Sequence, residues 1–336
     1  MIKCSLIIPA YNSAKIIGFC LDKALNQSVS KDTYEVIVVD DGSVDNTANI
    51  VAQHDSVKLI RQSNHGPAAA RNHGAKEANG DILIFTDSDC ELDVDFIKHI
   101  LAQFDTNPQI AGVQGRYKTR QKEFIAQFGQ TEIETRYIKM EQNRYIDFIG
   151  TYAAAYRADI FGKYGGFDTS FPIACGEDAE FSYRLSKDGY KLLFCGDAFV
   201  YHRHPSTLKQ YLRTKYYRGF WRVKLHKKHF AKTFKDSYTP NSLKIEILLS
   251  PALPFFMILS CWNMYFWIPA FLIILLFSFS SIAFLKMFRK MKYRKGYLIP
   301  CMLYARAVSI FAGVCLGMIN EFFHGEKASR TSCDWC

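Results

Sequence analysis

From Lys3 to Pro9 the chain is mostly apolar and closes on a proline, and beyond it apolar residues recur at Ile16, Ile17, Cys20, Leu21 and Leu25. The first pattern predicts a short strand and the second, with its three-to-four spacing, an amphipathic helix. Glu35 to Val39 is nearly continuous in apolar residues and runs straight into Asp40-Asp41-Gly42-Ser43. That is the pattern of a strand buried on both faces. Val57 to Ile60, a helical stretch from Ala68 to Ala78 and a second buried strand from Ile82 to Thr86 continue the rhythm. Alternating strands and helices predict an α/β layered domain with a mostly parallel central sheet, whose ligands bind outside the carboxyl ends of the strands. Both acidic clusters, Asp40-Asp41 and Asp87-Ser88-Asp89, fall at such ends.

The later pattern is different. Leu208, Tyr211, Leu212, Tyr216, Phe220 and Val223 mark one face of a helix whose other positions are strongly basic. Ile247 to Leu285 then holds 39 residues without a charge. One membrane crossing needs about 20 apolar residues, so this length predicts a helical hairpin turning at Trp262-Asn263, with Tyr265 and Trp267 near an interface. Pro251 and Pro254 kink or delay its first helix. A third segment, Tyr297 to Phe323, carries Arg306 and Glu321. It leaves two placements open: crossing with Arg306 snorkelling, or lying in the interface.

Charge sharpens this picture. The net charge of +10 is unevenly spread, because residues 1–197 hold 21 Lys and Arg against 27 Asp and Glu. Eleven basic residues between Ala198 and Lys235, and six between Lys286 and Lys295, are unopposed by acids. Two basic blocks bracketing an apolar stretch suit anionic lipid headgroups and argue against nucleic acid as a partner. The positive-inside bias then predicts a multi-pass membrane protein with its N-terminal α/β domain in the cytoplasm. The few apolar residues before Pro9 are too short for a signal-peptide core.

Composition excludes several classes. With 336 residues, 49% hydrophobic and 22% charged, the chain is neither disordered nor a single small module. Its ten cysteines are scattered rather than densely spaced, which points to a reducing compartment. Cys333 and Cys336 form one CxxC pair, too few ligands for a zinc site. No glycine-lysine phosphate loop is present, which counts against a phosphate-transferring enzyme.

Carboxylates two apart at the mouth of a buried strand, as at Asp87 and Asp89, repel one another and call for a divalent cation. Here the motifs acquire a joint meaning. Ile7-Ile8-Pro9-Ala10-Tyr11-Asn12, Val38 to Ser43 with Asp45 and Thr47, Gly66 to Asn72, Gly80-Asp81, Asp87-Ser88-Asp89, Gly165 to Asp168 and Gly176-Glu177-Asp178 stand in order over about Lys3 to Trp221. This set resembles the inverting family 2 glycosyltransferases of GT-A fold.

The resemblance implies an α/β nucleotide-sugar-binding domain over residues 1–205, followed here by a basic amphipathic interface region (206–244), a transmembrane region of two to three helices (245–323) and a tail (324–336). It implies that Pro9, Tyr11, Asp40 and Asp41 contact base and ribose of a UDP- or GDP-sugar, with Arg71 near the base or diphosphate and Asp87 and Ser88 on the donor. Asp87, Asp89 and His202, chosen over His204, would hold Mn²⁺ or Mg²⁺. Asp178, preferred to Glu177, would be the general base for a membrane- or lipid-linked glycan acceptor in cell-surface glycan synthesis. Two departures bear on the acceptor. Arg218-Gly219-Phe220-Trp221 lacks the Arg-Trp pair of processive relatives, which favours single-sugar transfer over a processive polysaccharide synthase. Gly150-Thr151-Tyr152-Ala153-Ala154-Ala155 stands where relatives often have an asparagine or other polar residue in the acceptor region. A reading of another class, an inactive membrane scaffold or lipid-carrier binder, is opposed by the intact Asp87, Asp89 and Asp178.

Overall fold

The computed structural model describes residues 2–233 and 236–324, so the Cys333–Cys336 pair lies outside the described residues. Eight strands form one sheet: β1 (Cys4–Ala10), β2 (Tyr34–Asp40), β3 (Val57–Arg61), β4 (Ile82–Thr86), β5 (Cys90–Leu92), β6 (Ile110–Lys118), β7 (Ala153–Arg157) and β8 (Lys191–His202). Their order is β3-β2-β1-β4-β7-β6-β8-β5. The β1, β2, β3 and β4 half is parallel throughout, β6 pairs parallel with β8, and β7 and β5 enter antiparallel. The parallel half is buried on both faces, which is why its strands read as continuous apolar runs: Leu6, Ile7, Ile8, Ile37, Val38, Val39, Ile84 and Phe85 are all fully buried.

The helices are α1 (Ile17–Leu25), α2 (Thr47–Ala52), α3 (Pro67–Lys76), α4 (Phe96–Thr106), α5 (Phe124–Glu141), α6 (Ala158–Lys163), α7 (Glu177–Lys187), α8 (Leu208–Lys228), α9 (Asn241–Leu249), α10 (Ala252–Leu259), α11 (Trp267–Lys290) and α12 (Ile299–His324). Two helix starts matter for the site. Gly66 before α3 and Gly176 before α7 have φ of +88° and +125°, a backbone region that side-chain-bearing residues avoid. Beyond Gly176, Phe161, Phe167 and Phe181 pack with Phe85 and Tyr156 into an aromatic cluster that seats α7 on β4 and β7.

Among the described residues, three helical stretches are long and apolar enough to cross a membrane: Asn241–Leu259, Met264–Lys290 and Gly296–Phe323. The hairpin turns where its sequence predicts, between Leu259 and Met264, and the break between α9 and α10 falls at Ser250 and Pro251. Arg306 does not snorkel. It is 4% exposed and faces inward to Glu246 on α9 and Glu132 on α5.

Candidate active site

Strand ends assemble the site. β1, β2 and β4 run side by side, so the residues just past them, Tyr11 to Ser13, Asp40-Asp41 and Asp87 to Asp89, emerge on one edge. Ser13 Oγ and Ser88 Oγ lie 2.9 Å apart and join the first and third of these loops. Asn12, at φ +48°, receives no strain relief from glycine; its side chain instead accepts from Val44 N, and its own N–H donates to Ser43 Oγ. Pro9 and Tyr11 are half-buried on this edge.

The two acids after β2 are tied down by the protein itself. Asp40 is fully buried; its Oδ1 accepts from Ser43 N, and its Oδ2 faces Arg61 Nε at 3.6 Å. Asp41 accepts from Gln62 Nε2, His65 N and Gly66 N at 2.7–2.9 Å. Asp41 therefore shapes the loop that leads into α3.

Arg71 sits on α3, 1% exposed, with its guanidinium held by two partners within the chain. Its Nη2 donates to Asp87 at 2.7 Å and its Nη1 to Glu177 at 3.0 Å. The planar fork thus bridges the end of β4 to the start of α7. Glu177 Oε2 has no hydrogen-bond partner. Burial, then the neighbouring Asp178 charge, push the Glu177 carboxyl up to about 7 despite Arg71.

Asp178 is placed differently. It is half-buried, its Oδ1 accepts from Ala179 N at 2.7 Å, and among the described residues no cation forms an ion pair with it. Burial raises its pKa above the ordinary aspartate value. A carboxylate of raised basicity at a helix start, without a salt-bridge partner, is free to take a proton from a hydroxyl.

His202 reaches the acidic turn through strand pairing. β5 and β8 are antiparallel with Cys90 opposite His202, which sets the imidazole beside Asp89, Nε2 to Oδ2 3.2 Å. Burial and then Asp89 act oppositely on His202, and Asp89 prevails, so its pKa is raised. Its Nδ1 has no hydrogen-bond partner among the described residues. His204, two residues on, belongs elsewhere: its Nε2 lies 2.8 Å from Gln130 Oε1 and burial lowers its pKa to about 3.

These groups fit a divalent cation. One ligand atom each from Asp87, Asp89 and Cys90 lie within 4.8 Å of one another. Cys90 is fully buried, and burial raises its thiol so far that it stays protonated, which leaves the carboxylates and His202 as the suitable donors. Three carboxylates, Asp87, Glu177 and Asp178, act on one buried arginine, and Asp89 crowds against Asp87, so a cation relieves their repulsion. Asp93 and Asp95 lie apart from this set; Asp95 accepts from Ser28 and Lys98 at the surface.

Sequence reasoning passed over Tyr117 and Tyr152. Their rings stack at 3.5 Å, and Tyr117 stacks in turn on His202 at 4.4 Å. No local pattern flags them, because Tyr117 arrives on β6 and Tyr152 from the loop before β7. Cys175, beside Gly176, donates its Sγ–H to Tyr217 O on α8 at 3.8 Å, which brings the basic helix close to the start of α7.

Residues 5–165 match the family model described as "Glycosyl transferase family 2". Over 212 residues the chain is 30% identical to Glycosyltransferase AglE of Haloferax volcanii, covering 59% of this chain and 66% of AglE. It is 41% identical over 93 residues to Poly(ribitol-phosphate) beta-glucosyltransferase of Bacillus spizizenii, covering 26% of this chain and 15% of that protein. The chain thus spans less than two thirds of the length of these relatives. Among solved structures it resembles the mannosyltransferase PcManGT from Pyrobaculum calidifontis, in complex with GDP-Man and Mn²⁺, with a TM-score of 0.60 at 19% identity over 96% of this chain and 87% of that one. The family model, the relatives and the shared fold agree with the strand-end site, and the chain belongs to the family 2 glycosyltransferases with a GT-A-type domain.

Proposed function

We propose that the protein is an inverting glycosyltransferase that moves a sugar from a nucleotide-diphospho-sugar, a UDP- or GDP-sugar, to a hydroxyl of a membrane- or lipid-linked glycan acceptor at the cytoplasmic face of the membrane. The observation that carries this reading is Asp178: a half-buried carboxylate with no direct ion pair among the described residues, one residue from a glutamate clamped by Arg71. Glu177 is spent on structure, and Asp178 is left for chemistry.

In this reading the nucleoside lies against Pro9, Tyr11 and the Asp40-Asp41 turn, and Ser88 borders the donor. Arg71 holds Asp87 beside Asp89 and His202 faces Asp89, so that Asp87, Asp89 and His202 would be the residues that hold the ion. A Mn²⁺ or Mg²⁺ ion bound there supplies positive charge to the departing diphosphate. Asp178 accepts the proton of the acceptor hydroxyl as its oxygen attacks the anomeric carbon opposite the leaving group, which gives inversion. The acceptor enters from the α8 side, where Arg218 is exposed and acts on the Asp178 charge. A lipid phosphate suits that cationic approach.

The test is a screen of UDP- and GDP-sugars with Mn²⁺ in membranes holding the full chain, against Asp178→Asn. Donor-dependent transfer or donor hydrolysis that disappears in the variant is the expected result. Equal turnover in both proteins would remove Asp178 from the mechanism, and no turnover with any donor would favour the scaffold reading.

A further inference from the structure

Composition alone admits three membrane crossings, yet the packing of each stretch limits how far it can leave the catalytic domain. α12 is held along its length. Arg306 pairs with Glu132 on α5 and with Glu246 on α9. Ser309 Oγ donates to Leu212 O at 2.7 Å, and Glu321 pairs with Lys227 at 3.0 Å. Between them, Gly313 lies directly on the backbone of Tyr216 and Gly317 on that of Phe220, leaving no room for a side chain. α12 thus runs beside α8 for 12 residues, about 18 Å.

α8 is in turn fastened to the domain over the same length. Tyr211 Oη and Lys215 Nζ reach Glu132 at 2.9 and 2.7 Å, Trp221 and Leu225 enter the domain core, and Lys224 Nζ donates to Ser170 O at 2.8 Å. A helix bound at both ends to a helix of the polar domain cannot also cross about 30 Å of hydrocarbon. Its outward side is nonetheless apolar: Val308, Ala312, Leu316, Ile319 and Phe323 are exposed at three- to four-residue spacing, with Cys301 exposed seven residues before them, while Arg306 and Glu321 turn inward. That is the form of a helix lying in the plane of a membrane surface.

The hairpin is fastened as well. α9 is held through Lys244 to Asp236 at 3.2 Å and through Glu246 to Arg306, and Ser250 O accepts from Tyr304 Oη at 3.2 Å. On the return, Phe288 and Phe284 pack on Phe124 and Phe128 of α5, and Phe277 packs on Tyr304. From Phe277 outward to Trp267 the helix rises ten residues, about 15 Å. That is half the hydrocarbon thickness. The tip, with Trp262, Met264, Tyr265 and Trp267 exposed, carries no charge, whereas six unopposed basic residues, Lys286 to Lys295, lie at the base.

We propose that α9 to α12 cross no bilayer: they insert into a single anionic leaflet, with α12 in its surface, the α10–α11 tip near its midplane and the basic base among its headgroups. This replaces the multi-pass arrangement expected from composition, and it does not depend on the identity of donor or acceptor. It places residue 324 on the same side as the catalytic domain.

Two measurements on the full chain test it. In phosphatidylcholine–phosphatidylglycerol vesicles, the Trp262 signal, taken as the difference from Trp262→Phe, should be quenched strongly by lipids brominated near the chain ends and not by iodide trapped in the lumen. Quenching of Trp262 by lumenal iodide would show that the hairpin spans. In sealed native membranes, N- and C-terminal epitopes should become protease-sensitive from the same side. A C-terminal epitope cleaved only from the opposite side would show that α12 crosses, and would overturn the proposal.

Discussion

Arg71 and Glu177 stand 106 positions apart in sequence and 3.0 Å apart in the fold, and Arg71 uses its other terminal nitrogen on Asp87. This one guanidinium locks the end of β4 to the start of α7, the two places from which the acidic residues of the site project. Arg71→Ala leaves two carboxylates without their shared cation. Removing one partner of a buried pair destabilises by about 3–5 kcal/mol, so the urea midpoint should fall clearly. Arg71→Lys should recover part of the loss, since lysine restores charge but not the fork. An unchanged midpoint in the alanine variant would deny the clamp its role.

Glu177 links the same clamp to pH. Its carboxyl is raised from 4.5 to about 7 by burial and then by the Asp178 charge, so the folded protein holds a proton that the unfolded chain has released. The resulting stability is fully present below the unfolded value and is lost as pH rises through about 7. Glu177→Gln cannot titrate. The difference in unfolding free energy between wild type and this variant should therefore drift against wild type from pH 5 to 8, and a difference constant over that range would contradict the assignment.

Asp178 governs the chemical step. A positioned base contributes about 10²–10⁴-fold, so Asp178→Asn should lower kcat by that factor while donor affinity, measured by calorimetry, stays near wild type. The raised pKa of Asp178 also means that wild-type turnover should decline on the acid side above the usual aspartate range, as the base becomes protonated. Should Glu177→Gln be the inactive variant and Asp178→Asn remain active, the base is Glu177.

The two histidines after β8 should separate cleanly. His202→Ala and Asp89→Ala remove candidate ligands and should weaken Mn²⁺ affinity at least as much as the roughly 10–100-fold seen when only outer partners of a metal ligand are lost. EDTA should reproduce both effects on donor binding. His204→Ala breaks the contact with Gln130 and should instead lower stability by about 1 kcal/mol with Mn²⁺ affinity preserved. Loss of metal affinity in His204→Ala alone would reverse the choice.

Gly313 tests the seam between α8 and α12. A Cβ there meets the Tyr216 carbonyl oxygen, and overpacking of this kind costs about 1–3 kcal/mol. Gly313→Ala should lower the thermal midpoint, whereas Ala312→Ser, on the exposed side, should leave it unchanged.

The sequence alone determined the parallel half of the sheet and its strand-end acids. Strands buried on both faces must be apolar throughout, and turn residues must follow them, so Leu6 to Ile8, Val36 to Val39 and Ile82 to Phe85 declare themselves locally. The apolar C-terminal stretch and its basic flanks were equally plain, because hydrophobicity and charge are properties of residues rather than of their partners. β5, β6 and β7 were not legible: Cys90–Leu92 is three residues long, and Ala153–Arg157 is dominated by alanine, which has little strand preference. Only the tertiary structure brought Arg71 onto Glu177 and Asp87, and paired His202 with Asp89 through the β5–β8 register. Likewise, the length of an apolar helix says that it can cross a bilayer, but Arg306 on Glu132 and Gly313 on Tyr216 are long-range contacts, and such contacts decide how far a helix can leave the domain that holds it.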